Sequence, residues 1–232
     1  MMFNLFKKKQ PKQAQPQPQP QVLFSVRDTL MGDLPAGQWP SGNVDGHPWS
    51  RFVEARDQVI KQNVQEALNI LHKITATPGL ESRHYLQAWH FLHRLGVNPP
   101  AEAARKVYGV VIDVHLENGL ELVAAYADHS ARYINYSGGG VIWEAPDASL
   151  NAQIDALLQA CTVAAAQIPP LDNIHPNPPK DVDAVQICIL TPSGIHHGYG
   201  TWDGWAKNEL GGPIVASATS LMKSMVEKNA SR

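Results

Sequence analysis

The sequence predicts an α+β domain: an antiparallel β-meander covered on one face by two helices. A small helical hairpin region and a disordered N-terminal tail precede it. Three observations carry this expectation. Four short β-type runs, "VYGVVIDVHL", "LELVAAYA", "ARYINY" and "VIWE", follow one another between residues 107 and 144. They are separated by Asn118-Gly119, Asp128-His129 and the glycine-rich residues 137–140, and Asn-Gly between apolar runs is a strong hairpin signal. Two amphipathic stretches then lie downstream, and three more lie upstream.

The elements are expected in the following order. Residues 1–21 begin "MMFNLFKKKQ" and continue as Gln/Pro repeats, which cannot bury apolar surface and favour extended polyproline II. Residues 1–12 combine Phe3, Leu5 and Phe6 with four lysines, a composition for weak contact with a membrane or acidic surface. The apolar run is too short for a signal-peptide core. Residues 22–49 are irregular and Gly/Pro-rich, with Leu30, Leu34, Trp39 and Trp49 available to wrap onto the domain.

Residues 50–100 form the helical hairpin region. Its helices run over 51–62, 63–76 and 82–95, with Val64, Leu68, Leu71 and Ile74 on one face of the second and Tyr85, Ala88, Trp89 and Leu92 on one face of the third. "TPG" (77–79) breaks the chain between them, and Asn63 with Glu66 resembles a capping box. Residues 101–232 form the α+β domain. After the four strands, a helix capped by Asp147 buries Leu150, Ile154, Leu157, Leu158 and Cys161. Next come a proline-rich loop, the strand "VDAVQICILTP", a return over 194–205, and a last helix burying Ile214, Ala218, Leu221, Met222 and Met225.

The composition restricts the function. The chain has 232 residues, 44% hydrophobic and 17% charged, with a net charge of −2. It lacks the basic excess of a nucleic-acid-binding protein. No apolar run reaches the roughly 20 residues that span a bilayer. Cys161 and Cys188 read as separate buried thiols, which points to the cytoplasm.

Chemistry is sparse. In "TPSGIHHGYGTWDGW" His196 and His197 point to opposite faces of an extended strand, so one metal cannot take both. No HExxH or similar spacing supplies a zinc set; His90 and His93 share a helix face but have no acidic partner nearby in sequence. The expectation is therefore no metal and no cofactor. Two-residue turns at 118–119 and 128–129 place Asp113, His115, Tyr133 and Asn135 together on one sheet face, with Ile134 on the other. "YSGGGVIWE" joins two strands without a following lysine, so it reads as a turn and not as a phosphate loop. "ELGGPIV" leads glycines into a helix start, a generic anion site.

These features suggest a protein that works through another protein, of the accessory, adaptor or immunity type, by analogy with bacterial accessory proteins. Tyr199, Trp202 and Trp205 would make the contact, because flat aromatics dominate interface energetics. One alternative is a hydrolase using His196 or His197 as general base with Asp203, Asp113, His115 or Glu144 nearby. Another is a small-molecule sensor with a pocket of Trp89, Tyr133, Trp143 and Trp202.

Overall fold

The computed structural model describes residues 20–40, 46–171 and 175–231. The disordered tail and membrane contact expected before residue 20 lie outside the described residues.

Short runs bounded by turn residues build six strands: β1 (Gly109–Leu116), β2 (Gly119–Tyr126), β3 (Ala131–Ile134), β4 (Gly140–Trp143), β5 (Ala184–Thr191) and β6 (Gly194–Thr201). All neighbours pair antiparallel, in the order β4-β3-β2-β1-β5-β6. The meander is as expected, and β5 returns to pair with β1. Eight α-helices accompany the sheet among the described residues: α1 (Pro20–Met31), α2 (Trp49–Ile60), α3 (Val64–Ala76), α4 (Ser82–Arg94), α5 (Ala101–Ala104), α6 (Asn151–Ala165), α7 (Trp202–Ala206) and α8 (Gly211–Ala230).

α6 and α8 are the two covering helices. Their stripes, including Ile154, Leu157, Cys161, Ile214, Leu221 and Met225, bury against Val110, Ile112, Val114, Ala125 and Ile187. The opposite face is also covered. Val111, Leu122, Ala124, Tyr126, Cys188 and Leu190 pack against Leu30 and Met31 of α1 and Leu86 of α4. β1 and β5 are thus buried on both faces, which is why they read as nearly continuous apolar runs. α4 is a wedge: Leu86 serves the sheet, while Ala88, Trp89, Phe91 and Leu92 serve a helical core with Trp39, Phe52, Leu71 and Ile74.

Four expectations change. First, residues 22–49 are not irregular throughout. Residues 20–31 contain no glycine, and their only proline is at the first position, so they form α1; a 3₁₀ turn (Ala36–Gln38) follows. Second, the β1–β2 turn is Glu117-Asn118, because Leu116 pairs with Gly119 and Asp113 with Leu122. The register moves by two, so faces are preserved. Third, the β2–β3 loop has three residues: Tyr126 N–H bonds to Ser130 O, His129 sits at φ 63°, and Ala124 pairs with Arg132. A one-residue slip inverts every side chain, so Tyr133 joins the α6/α8 face and Ile134 the α1 face. Fourth, neither expected cap forms. Asn63 Nδ2 donates to Gln58 Oε1, and Asp147 Oδ1 accepts from the Ser149 N–H while α6 begins at Asn151.

Asp128 explains the longer loop. Its carboxylate accepts the Ser82 N–H at 2.6 Å and the Ser130 N–H at 2.9 Å, and its own N–H donates to Ser82 Oγ. A carboxylate at the first turn of α4 is favoured by the free N–H groups there. Burial alone would raise its pKa, but the bonds from Ser130 and Ser82 hold it below the ordinary value.

Candidate functional site

"GIHHGYGTWDGW" is β6 running into α7. The glycines seat Trp205 back across the strand. A Cβ on Gly198 would stand 2.6 Å from the indole and one on Gly211 1.9 Å from it, both inside van der Waals contact. The indole N–H donates to Val185 O at 3.0 Å. Trp202 and Trp205 are half-buried against the α6/α8 core. Tyr199 stays 47% exposed, on the opposite face of β6, and its hydroxyl donates to Asp181 Oδ2 at 2.8 Å. Asp203 is exposed in the first turn of α7.

The two histidines differ. His196 is 1% exposed; its Nδ1 lies 2.6 Å from Ile168 O and its Nε2 3.1 Å from Thr191 Oγ1. Burial lowers its pKa. Both ring nitrogens are engaged, so it braces the loop against β6. His197 is half-buried, its Nε2 has no hydrogen-bond partner, and burial followed by the Arg27 charge lowers its pKa.

The structure does not bring the four sheet residues together. Asp113 is fully buried and accepts from Arg27 Nε at 2.9 Å, Arg27 Nη2 at 2.8 Å and Gln186 Nε2 at 3.1 Å. His115 lies two residues along the same face of β1, near the strand's end and opposite Leu120. Tyr133, on the other face, donates to Glu121 Oε2 at 3.1 Å. Asn135 holds the following turn by accepting from Ser137 N–H and Oγ–H. The aromatic set proposed for a sensor pocket is divided as well, with Trp89 in the helical core and Tyr133, Trp143 and Trp202 on the α6/α8 side. At the start of α8, Asn208 Oδ1 accepts from the Leu210 and Gly211 N–H groups, so these N–H groups already have an acceptor.

A constellation that the sequence did not reveal lies at the seam between the helices and β6. α1 ends in a Schellman motif, with Gly32 N–H to Thr29 O, Asp33 N–H to Asp28 O and Gly32 at φ 65°. Gly32 also lets α1 approach α4, since a Cβ there would stand 2.8 Å from Arg83 O and Leu86 Cβ. Asp33 is thereby set against α4, where His90 and Arg94, one turn apart, share a face. Arg94 Nη2 donates to Asp33 Oδ1 and Oδ2 at 2.7 and 2.8 Å. Asp33 Oδ2 lies 3.3 Å from His90 Nδ1 and 2.9 Å from His175 Nε2. His175 comes from the proline-rich loop, where Pro176 and Pro179 are buried and Leu171 N–H bonds to Ile195 O at 2.8 Å. Burial would raise the Asp33 pKa, but the His175 and His90 imidazoles beside it hold the carboxyl well below its usual range. A cavity of about 80 Å³, lined also by His93, Leu171, Gly194 and Ile195, opens beside these groups. It has room for an ion and a few waters, and is far smaller than the roughly 300–1,000 Å³ of a drug-sized ligand pocket.

The sequence shows no acid close to His90, because Asp33 is 57 positions upstream; His175 is 85 positions downstream. The Met-Gly-Asp at the end of a helical stretch was the available signal. No helix among the described residues is long and apolar enough to cross a membrane. No family model, curated protein or solved structure matches this chain.

Proposed function

We propose that this protein is a cytoplasmic accessory or adaptor-type binding protein that engages a protein partner at the outer corner of its sheet, centred on Tyr199. The observation that carries this reading is the exposed, fixed aromatic itself. Tyr199 is 47% exposed on edge strand β6, and Asp181 holds its hydroxyl. Val182, next to that aspartate, is 51% exposed. Tyrosine is among the residues enriched at interface hot spots, and one whose hydroxyl is already held loses less conformational freedom on binding. Trp202 and Trp205 brace the corner from below. The two cysteines are unpaired and buried, in keeping with a reducing compartment.

Affinity capture with full-length bait, compared with Tyr199→Ala, tests this. Loss of a hot-spot tyrosine weakens a complex by about 2 kcal/mol, roughly thirty-fold. The expected result is a stoichiometric partner retained by wild type and lost by Tyr199→Ala, with the thermal midpoint unchanged. Equal retention by both proteins overturns the reading.

One observation favours hydrolysis as a second reading. His197 carries a solvent-shielded Nε2 without a hydrogen-bond partner and a pKa lowered by burial, two residues from Tyr199 on the same strand face. A neutral imidazole of this kind acts as a base once a substrate reaches that nitrogen. Hydrolysis of activated esters by wild type but not by His197→Ala supports it, and equal rates exclude it.

A further inference from the structure

We propose that Asp33, His90 and His175 form a binding site for a divalent transition-metal ion of the zinc class. Their donor atoms all lie within 4.8 Å of one another. In a tetrahedral zinc site with bonds of about 2.0–2.1 Å, neighbouring donors stand about 3.3 Å apart. The carboxylate oxygen of Asp33 lies 3.3 Å from His90 Nδ1 and 2.9 Å from His175 Nε2, so small side-chain shifts bring the set to coordination distance. Two imidazoles and one carboxylate suit zinc, cobalt, nickel or iron better than calcium or magnesium, which take oxygen ligands.

The second observation is a close contact without hydrogen-bond alignment. His175 Nε2 is shielded from solvent and lies 2.9 Å from Asp33 Oδ2, yet the pair does not form an aligned hydrogen bond. A shielded nitrogen is poorly satisfied by such a contact, and a cation shared with Asp33 would satisfy it. The His90 side chain is 10% exposed, so it too is held in the site. Arg94 grips the same carboxylate from the solvent side, as outer partners that orient a ligating group do. With neutral imidazoles, one carboxylate and Arg94, a dication leaves the site positively charged. Its fourth position, open to the cavity beside His93, takes water or a small anion.

The ligands come from three separately anchored segments: the end of α1, the middle of α4 and the proline-rich loop. The metal therefore clasps the helical layer to β6 in addition to any chemistry at the open position.

Untagged full-length protein, stripped with chelator and desalted, is titrated with zinc chloride by calorimetry and with Co²⁺ by absorption spectroscopy. The expected result is one zinc per chain, together with the visible bands of four- or five-coordinate cobalt. His175→Ala, on a half-exposed loop and folded by circular dichroism, should weaken zinc at least about 100-fold, beyond the ~10–100-fold that loss of an outer partner costs. His93→Ala should change it less than about three-fold, since His93 supplies no ligand. Absence of one-equivalent saturation in wild type overturns the proposal. So does a six-coordinate aquo-cobalt spectrum, or zinc binding left intact by His175→Ala, which would assign the ion to other histidines on the surface.

Discussion

At the scale of single residues, Trp205 determines what the glycine-rich stretch means. Glycines in a loop permit a close backbone approach, and the sequence alone does not say whether a partner or the chain's own side chain approaches. Here the indole lies against Gly198, Gly200 and Gly211. Gly211→Ala must therefore displace the ring, and overpacking of this kind costs about 1–3 kcal/mol. Trp205→Ala should cost about 2–3 kcal/mol, short of the ~3–5 of a fully buried aromatic, because the ring is half-buried. The double variant separates the explanations. Once the ring is gone, Gly211→Ala should add almost nothing, a strong departure from additivity. Urea unfolding measures all three. Additive losses would mean that Gly211 serves some purpose other than seating the indole.

At the scale of elements, helices and strands were legible wherever one physical pattern dominated. The stripes of α6 and α8 lie on the core as their spacing implies, and so does the four-stranded meander. The β2–β3 connection was not legible, because its length is set by a tertiary bond. Asp128 reaches out to the first turn of α4, and the extra loop residue that this requires turns Tyr133 over. α1 was hidden for a similar reason. Its flanks are rich in glycine and proline, and what holds the helix is distant: Arg27 on Asp113, and the Tyr126 hydroxyl on Leu30 O at 2.6 Å. The Arg27–Asp113 pair is buried on both sides. Removing one partner of such a pair typically costs about 3–5 kcal/mol, whereas replacing both with apolar groups is often close to neutral. Arg27→Met and Asp113→Leu should each destabilise by that amount. The double variant should recover much of the loss, apart from the Gln186 amide, which keeps only Cys188 Sγ as an acceptor. Thermal unfolding of the four proteins reads this directly, and a double variant as unstable as the sum of the singles would remove the ion pair as the anchor of α1.

At the scale of the whole molecule, the sheet lies between two helical layers, and the titratable groups lie at the seams. That is why the Asp33–His90–His175 cluster escaped sequence reasoning: its members meet only after α1, α4 and the proline-rich loop have docked. The same burial makes stability depend on pH. Burial is the first cause of a lowered pKa at His84, His196 and His197. A histidine whose folded pKa lies below its unfolded value near 6.5 leaves stability intact above that pH. As pH falls below 6.5 the unfolded chain takes up the proton first, and stability is lost until the folded pKa is reached. Asp113 and Glu121, raised by burial, act in the opposite sense, because the folded state takes up their protons first as pH falls. They offset part of the loss at lower pH. The thermal midpoint should therefore fall between pH 7.5 and 5.5. His196→Asn isolates one contributor, since the asparagine amide can still donate to Ile168 O but does not titrate. Its midpoint should start lower at pH 7.5, where the Thr191 contact is gone, and then decline less steeply than that of wild type. Equal slopes for the two proteins would show that His196 becomes charged as readily in the folded protein as in the unfolded chain, against its burial beneath the loop.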